Sequence, residues 1–322
     1  MASASVVRIV VPDDDPVALR GTEIEERLGR LGELVIHDSL AANPSELTAR
    51  LKDANVAINI RSSSPFTVEV LSACRHLQHI AVLGVGVDNV DVEACREKGV
   101  LVTNTPGHST DAVAEHAIAL ALAVARRLTE NDRAVREGAW ARHPIIQLSG
   151  KTLGVIGAGP IGRRMAVLGQ ALGMKVVAWT FNPTVQRTEA MGVPFVALDE
   201  LMAISDVVSL HLPISDKSRG LIDAHKLSLM KPDAILVNTA RGAIVDERAL
   251  AGMLQRGEIG GAGLDAYTIE PLPAGHELGS LNNVVLSPHN AAMTVDAGIR
   301  GLEMVAENIE AWLAGKPTNI IV

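Results

Sequence analysis

Short apolar runs alternate with longer amphipathic stretches along almost the whole chain. In the first third these runs predict strands at residues 6–11, 35–37, 56–60, 79–83 and 101–103. A second series predicts strands at residues 153–156, 175–179, 207–211, 234–238, 260–264 and 284–286. Because helical stretches separate the runs, the pattern predicts βαβ units and parallel sheets.

A glycine cluster follows the first strand of the second series. The run at 153–156 leads directly into Gly157, Gly159 and Gly162, which have the spacing Gly-x-Gly-x-x-Gly, and residues 163–172 are predicted as a helix. In this setting the first glycine makes a tight turn, the second lets the backbone approach a pyrophosphate, and the third lets helix pack on strand. The helix N-terminus offers free N–H groups to the phosphates. The motif therefore predicts dinucleotide binding.

The two strand series predict two doubly wound α/β domains with parallel sheets. We expect a Rossmann-type dinucleotide-binding domain at residues 105–290, inserted into a flavodoxin-like substrate domain at residues 1–104 plus 291–322. A helix predicted at 111–127 is rich in Ala and Leu, so it is either a dimer face or ordinarily buried within its own domain. A final helix is predicted at 295–314.

Composition excludes several classes of protein. The 322 residues carry a net charge of −8, which argues against binding to nucleic acids or anionic membranes. The longest apolar stretch, residues 117–125, is too short to cross a bilayer. Cys74 and Cys95 form no metal or redox motif, and residues 1–11 lack the layout of a signal peptide. We therefore expect a soluble cytoplasmic protein without a metal site.

Three polar residues follow predicted strands of the second series: Arg241, Glu270 and His289. Ligands of open α/β sheets bind beyond the carboxyl ends of the strands, which is where these residues fall. Beside a nicotinamide, which transfers the hydride, a histidine can donate the proton and a carboxylate can orient its imidazole. An arginine fits a substrate carboxylate or carbonyl. Each residue alone has a simpler structural explanation, but together with the glycine motif they favour a dehydrogenase.

Ordered motifs carry a resemblance over nearly the full length of the chain. They include Gly84-Val-Gly-Val-Asp-Asn-Val-Asp91, Asn104-Thr-Pro-Gly107, Asn238-Thr-Ala-Arg-Gly242, Glu270-Pro-Leu-Pro273 and Ser287-Pro-His289. With them the chain resembles the D-isomer-specific 2-hydroxyacid dehydrogenases. The resemblance implies that Arg241, Glu270 and His289 are catalytic and that Gly84, Val85 and Gly86 receive the substrate carboxylate. The cofactor contacts it implies, taken together with the glycine motif, are Val85, Gly157, Gly159, Pro160, Ile161, Gly162, Thr180, Leu212, Thr239, Ala240, Arg241, Asp265, His289 and Ala291.

The same resemblance implies a small D-2-hydroxy acid or 2-keto acid as substrate, of the glyoxylate, hydroxypyruvate or 3-phosphoglycerate type. Arg61 resembles a phosphate-recognising residue of phosphoglycerate dehydrogenases, or it braces a loop. Formate dehydrogenases of the family carry Gln in place of Glu270, which disfavours that activity. The rival hypothesis is an NAD(H)-sensing scaffold of the corepressor type without significant turnover.

Whether the cofactor is NAD(H) or NADP(H) depends on one departure from the family pattern. Thr180 stands where NAD-binding members carry an acidic residue that contacts the ribose hydroxyl. Its loss removes repulsion against a 2′-phosphate, yet no arginine stands beside it and Arg187 is the nearest. NAD(H) and NADP(H) both stay open, with a lean to NAD(H). The family usually dimerises, so the resemblance also implies a homodimer.

Overall fold

The chain divides into two units. The computed structural model describes residues 6–60, 64–140 and 142–322. Unit 1 comprises the described residues of Met1–Ser109 together with Thr294–Val322, and unit 2 comprises those of Thr110–Met293. Unit 2 is therefore an insertion into the sequence of unit 1.

Unit 1 contains a five-stranded parallel sheet in the order β2-β1-β3-β4-β5, which is the flavodoxin-like order. Its helices begin at polar caps; Thr22, Asn43, Thr67 and Asp91 each accept a hydrogen bond from a backbone N–H of the first turn. Its elements are β1 (Arg8–Val11), α1 (Glu23–Gly29), β2 (Glu33–Ile36), α2 (Pro44–Leu51), β3 (Val56–Asn59), α3 (Val68–Ala73), β4 (His79–Val82), α4 (Val92–Lys98), β5 (Leu101–Thr103) and α12 (Val295–Leu313).

Unit 2 contains a six-stranded parallel sheet and most of the helices. Two short 3-10 helices, Gly242–Ile244 and Glu277–Ser280, lie in its loops. Its other elements are α5 (Thr110–Ala125), α6 (Leu128–Arg136), β6 (Thr152–Ile156), α7 (Pro160–Ala171), β7 (Lys175–Trp179), α8 (Val185–Met191), α9 (Leu198–Ile204), β8 (Val207–Leu210), α10 (Ala224–Ser228), β9 (Ile235–Asn238), α11 (Glu247–Arg256), β10 (Gly261–Leu264) and β11 (Val284–Leu286).

The strand order of unit 2 is that of a dinucleotide-binding sheet. The named strands run β11-β10-β9-β8-β6-β7, all parallel. Phe195 forms a further parallel bridge to Ala178 of β7 and so stands where the third strand of a Rossmann sheet belongs. With it, the order from that edge becomes 3-2-1-4-5-6-7, which is the Rossmann order with one strand added.

Both sheets are covered on both faces, as the predicted fold requires. In unit 1, Val10 packs in one buried cluster while its neighbours Ile9 and Val11 pack in another across the sheet. In unit 2, Val155 and Ile156 separate in the same way. Burial on both faces explains why the strands read as continuous apolar runs rather than as alternating ones. All eleven predicted strands are present, with ends within two residues of those expected.

Two helices refine the sequence-based expectations. Helix α7 begins at Pro160, not at Arg163, because Gly159 is its N-cap and a proline at the first helical position loses no hydrogen bond. Helix α5 buries Ala117, Leu120 and Ala121 inside unit 2, so this side of the helix is used within the unit. In the described part of the chain, no helix has the length and apolar character needed to span a membrane.

Candidate active site

Three neighbouring strands of unit 2 bring the predicted catalytic residues to one edge of the sheet. Arg241 follows β9, Glu270 lies in the loop after β10, and His289 follows β11. The strands β9, β10 and β11 are adjacent and parallel, so their carboxyl ends point to the same edge. Asn238, the last residue of β9, shapes the first loop: its side chain accepts from Ala240 N and donates to the carbonyl oxygen of Arg241.

Glu270 and His289 form a hydrogen-bonded pair. The distance from His289 Nδ1 to Glu270 Oε2 is 2.7 Å, and the other carboxylate oxygen, Oε1, accepts from Tyr267 N at 2.9 Å. With Nδ1 donating to the carboxylate, Nε2 is the ring nitrogen left for a ligand. The His289 side chain keeps 43% of its surface exposed, so a small molecule can reach it.

The surroundings favour the charged forms of both partners. The hydrogen bond to Glu270 raises the pKa of His289 above its usual value, against the effect of burial. Burial alone would raise the pKa of Glu270, but the hydrogen bonds from His289 and Tyr267 N and the charge of Arg241 outweigh it and lower that pKa. A raised pKa extends the pH range in which the imidazole carries a proton that it can donate.

Asp265 lies under the same loop. Its carboxylate is 1% exposed and accepts hydrogen bonds from the backbone N–H groups of Asn290 and Ala291, each at 3.0 Å. Burial favours its neutral form, but hydrogen bonds from His116, Ser287 and these two amides outweigh burial and lower its pKa. The residues on either side of His289 are therefore held by groups of unit 2.

The glycine loop has the geometry that dinucleotide binding requires. Gly157 has φ +116°, and a Cβ there would lie 2.4 Å from the carbonyl oxygen of His211. A Cβ on Gly162 would lie 1.9 Å from the carbonyl oxygen of Gly157, so only glycine lets α7 start this close to the turn. Gly159 and Pro160 are exposed, and a Cβ on Gly159 would meet nothing within 4 Å. The loop thus leaves room above the first N–H groups of α7.

Other predicted cofactor contacts follow strands of unit 2. Thr239 Oγ1 is buried and has no hydrogen-bond partner among the described residues, so it is suited to bond a ligand. Thr180 lines a cavity of about 550 Å³ at the end of β7, together with Phe181 and Glu200. Leu212, Ala240 and Ala291 are buried near strand ends, and Ile161 is partly buried in the first turn of α7.

The predicted substrate residues lie in unit 1. Gly84 N donates to Thr105 Oγ1 at 2.8 Å, and Asn104 Nδ2 donates to the carbonyl oxygen of Val85 at 2.8 Å, which fixes the loop after β4. The N–H groups of Val85 and Gly86 donate to no acceptor among the described residues. Arg61, the remaining predicted substrate residue, lies outside the described residues.

Sequence reasoning missed two residues of this site. Tyr267 donates and accepts hydrogen bonds with Ser287, and His116 Nε2 lies 3.0 Å from Ser287 Oγ and 3.6 Å from Asp265 Oδ1. Tyr267 is the chain's only tyrosine, a signal that could have singled it out. His116 interrupts the apolar pattern of α5 but is 149 residues from Asp265, so its contact was hidden in the sequence. In the described ranges, no group of three or more His, Cys, Asp and Glu could hold a metal ion.

Comparison with known proteins agrees with this geometry. Residues 118–291 match the family model described as "D-isomer specific 2-hydroxyacid dehydrogenase, NAD binding domain". Glyoxylate reductase of Aeropyrum pernix is 39% identical over 310 residues, which cover 93% of this chain and 92% of the relative.

Two solved structures share the fold over nearly the whole chain. D-lactate dehydrogenase from Aquifex aeolicus, complexed with NAD and lactic acid, is similar with a TM-score of 0.83 and 31% identity, covering 98% of this chain and 99% of that one. The NADPH-dependent glyoxylate/hydroxypyruvate reductase from Sinorhizobium meliloti, complexed with citrate, has a TM-score of 0.85 and 31% identity, covering 98% of both chains.

Proposed function

Because the chain belongs to the D-isomer specific 2-hydroxyacid dehydrogenase family, we propose that it reduces a small 2-keto acid to the D-2-hydroxy acid with a nicotinamide cofactor. The observation that carries the proposal is the pair of His289 and Glu270, joined at 2.7 Å beside Arg241 at the carboxyl edge of the sheet. A complete acid–base pair of this kind supports turnover rather than nucleotide sensing alone.

Each residue has one role in the proposed reaction. The bound nicotinamide supplies the hydride for the keto carbon. His289 Nε2 donates a proton to the keto oxygen as negative charge develops there, and Glu270 stabilises the imidazolium before that transfer. Arg241 holds the substrate through its carboxylate or carbonyl oxygen. In the oxidative direction, neutral His289 takes the proton back from the hydroxyl group.

For the substrate carboxylate we propose the backbone of Gly84, Val85 and Gly86. The free N–H groups of Val85 and Gly86 support this role, since a carboxylate accepts several hydrogen bonds. As substrate class we propose unbranched short 2-keto acids such as glyoxylate or hydroxypyruvate, supported by the 39% identity to a glyoxylate reductase. A phosphorylated substrate recognised by Arg61 is the alternative outcome of the assay below.

For the cofactor we propose binding at Gly157, Gly159 and Gly162, with NAD(H) preferred over NADP(H). The proposal of NAD(H) is supported by the cavity that Thr180 lines, in which Glu200 carries the only charge among the lining residues. A carboxylate near the ribose repels a 2′-phosphate and accepts a hydrogen bond from a 2′-hydroxyl.

The test is oxidation of NADH and of NADPH, in parallel, with glyoxylate, hydroxypyruvate, the phosphorylated analogue of hydroxypyruvate and bulkier 2-keto acids. We expect turnover of the short keto acids and a higher kcat/KM with NADH. Turnover only with the phosphorylated acid would instead support a phosphorylated substrate that Arg61 recognises. Tight nucleotide binding without turnover of any keto acid would contradict the enzymatic proposal and favour the sensing scaffold.

We also propose a homodimer located in the cytoplasm. Leu128, Val135 and Trp140 expose large apolar surfaces on and after α6, which supports association with a second copy. Cys74 and Cys95 are free and buried, as is usual in a reducing compartment. Light scattering coupled to size-exclusion chromatography should give twice the chain mass of 33.9 kDa; a monomer at micromolar concentration would contradict the dimer.

A further inference from the structure

Tyr267 contacts the segments that carry all three predicted catalytic residues. It lies in the loop after β10 and is only 7% exposed. Its hydroxyl donates toward the carbonyl oxygens of Ser287, at 2.8 Å, and Leu264, at 2.9 Å, and it accepts from Ser287 N at 3.1 Å. Ser287 is two residues from His289, so the phenol holds the start of the histidine loop.

The backbone of the same residue reaches the other two segments. Tyr267 N donates to Glu270 Oε1 at 2.9 Å, which leaves Oε2 for His289. Gly242 packs directly on Tyr267: a Cβ at Gly242 would lie 1.9 Å from the carbonyl carbon of Tyr267. Since Gly242 follows Arg241 in the chain, the arginine loop rests on the tyrosine backbone.

We propose that Tyr267 is a positioning residue that holds His289 in hydrogen-bond reach of Glu270 by fixing the backbone at Ser287. Its effect on turnover rests on the proposed function, whereas its effect on the imidazole does not. The residue contacts no reacting atom in this role; it acts through the histidine loop.

The backbone at His289 explains why such a hold is needed. His289 has φ +51°, a left-handed conformation that is unfavourable for a non-glycine residue and persists only where neighbours impose it. Asp265 holds the far side of the loop through the N–H groups of Asn290 and Ala291. On the near side, the Tyr267 hydroxyl holds Ser287 together with Asp265, which bonds the serine side chain, and the carbonyl oxygen of Leu264, which accepts from Ser287 N. Without the Tyr267 hydroxyl the near side keeps fewer hydrogen bonds, so the loop can relax and the imidazole can turn away from the carboxylate.

A phenylalanine would fill the same space without this hold. Tyr267→Phe keeps the buried ring but removes one of the two acceptors of Ser287 N, whose bond to the carbonyl oxygen of Leu264 at 2.9 Å remains, and it removes the hydroxyl that donates toward two carbonyl oxygens. Ser205→Ala is the matched control, because Ser205 is also a buried hydroxyl of unit 2; among the described residues its one partner is the carbonyl oxygen of Leu201 in α9, away from the site.

The charged groups around the pair are known, so a pH titration can be assigned. His289 faces Glu270, Arg241 and Asp265, and His116 lies beside Asp265 and Ser287. Tyr267 faces Asp265, Glu270 and Glu247, and burial raises its pKa to about 12. The phenol therefore stays protonated between pH 5 and 9, and a changed titration in this range reports the histidine–glutamate pair.

The experiment is an NMR titration of the His289 imidazole in the wild type, Tyr267→Phe and Ser205→Ala, without substrate, assigned with His289→Ala. We expect the His289 pKa to fall toward its usual value in Tyr267→Phe and to stay unchanged in Ser205→Ala. In steady-state reduction, kcat of Tyr267→Phe should fall about tenfold while KM changes by less than about twofold. The decline of activity with rising pH, which follows deprotonation of His289, should begin at a lower pH than in the wild type.

A lower melting temperature of Tyr267→Phe with an unchanged His289 titration would overturn the inference and leave Tyr267 as a packing residue. Because the chain has one tyrosine, 3-fluorotyrosine incorporated throughout labels this position alone if the variant fails to fold. Its fluorine resonance should then titrate with His289 and lose that titration in His289→Ala; a resonance insensitive to His289 would contradict the proposal. Absence of turnover in the wild type would contradict the proposed function but would leave the imidazole titration decisive for Tyr267.

Discussion

His289 in unit 2 and His79 in unit 1 show how far two histidines of one chain can differ. His79 begins β4, is fully buried, contacts Thr103 Oγ1 through Nε2 at 2.8 Å and packs against the ring of Trp312. Burial lowers its pKa to about 4. His289 lies in an exposed loop with a carboxylate partner, and its pKa is raised.

The difference is in the neighbours and in access, not in the residue type. His79 Nδ1 has no hydrogen-bond partner in the described part of the chain, which a neutral ring tolerates and a protonated one does not. His289 pairs Nδ1 with Glu270 and leaves Nε2 accessible. In the proposed reaction, a histidine can act as an acid or base only where a charged partner and an accessible ring nitrogen come together.

The largest expected effect is that of removing the imidazole of the open histidine. His289→Ala should lower kcat by about 10²–10⁴-fold, the range that a general acid contributes, while the Kd of the nucleotide stays within a few-fold. Steady-state kinetics and a fluorescence titration of NADH binding measure the two effects. The control is His225→Ala, on the exposed surface of α10. Full activity of His289→Ala would remove the proposed proton donor.

The glycine loop should tolerate even a methyl group poorly at Gly162. In Gly162→Ala the Cβ would lie 1.9 Å from the carbonyl oxygen of Gly157, so helix and turn must move apart. We expect nucleotide binding to weaken at least about tenfold and the free energy of unfolding to fall by about 1–3 kcal/mol. Gly279→Ala is the matched control, because a Cβ there meets nothing within 4 Å. Equal behaviour of the two variants would contradict the close packing at Gly162.

Glu270→Gln should make His289 more like an ordinary histidine. The hydrogen bond to Glu270 raises the pKa of His289, so the amide variant should lower it toward its usual value of about 6.5. Reduction needs the protonated imidazole, so its activity should decline at a lower pH than in the wild type, with kcat reduced about tenfold near neutral pH. The pH dependence of kcat/KM is the measurement. An unchanged profile would mean that Glu270 does not set the protonation of His289.

His79 should have a smaller effect, on stability alone. Its pKa is about 4 in the folded state and about 6.5 when unfolded, so protonation favours the unfolded chain, and stability is lost as pH falls from 6.5 toward 4. Between pH 6.5 and 5.5 this loss is about 1 kcal/mol. Denaturant unfolding at both pH values measures the free energy of unfolding, and this loss should be absent in His79→Gln. An equal pH dependence in both proteins would contradict the neutral, buried state of His79.

The pH dependence of stability that His289 contributes has the opposite sign to that of His79. Its folded pKa is raised, so its pairing with Glu270 stabilises the fold below the unfolded pKa of about 6.5 and is lost as pH rises through the folded pKa. Unfolding of Glu270→Gln relative to the wild type should therefore differ most at slightly acid pH, where the loss of His79 neutrality affects both proteins equally.

Most of the fold was predictable from the sequence because buried parallel strands are short continuous apolar runs. The run at 153–156 before Gly157 is the clearest case, since strand, glycine turn and helix follow within twenty residues. Arg241, Glu270 and His289 could be placed at one edge because each follows a strand of the same parallel sheet. The first turn of α7 was predicted three residues late, because Pro160 was not recognised as the first helical residue.

The contacts that hold the site could not be predicted in the same way. Tyr267 meets Ser287 across 20 residues, and His116 meets Ser287 across 171, so neither contact leaves a local pattern. The difference between His79 and His289 is equally invisible in the sequence, since it depends on burial by Trp312 and on the approach of Glu270. Such contacts exist only once the sheets are assembled.

In the proposed reaction, this chain delivers a hydride to the keto carbon of a 2-keto acid while His289 supplies the proton. The most direct measurement uses the preferred reduced cofactor with deuterium at both C4 positions, hydroxypyruvate as substrate, and analysis of the glycerate formed. We predict one deuterium at C2, the D configuration, and loss of product formation in His289→Ala. Glycerate without deuterium at C2, or of the L configuration, would contradict the account.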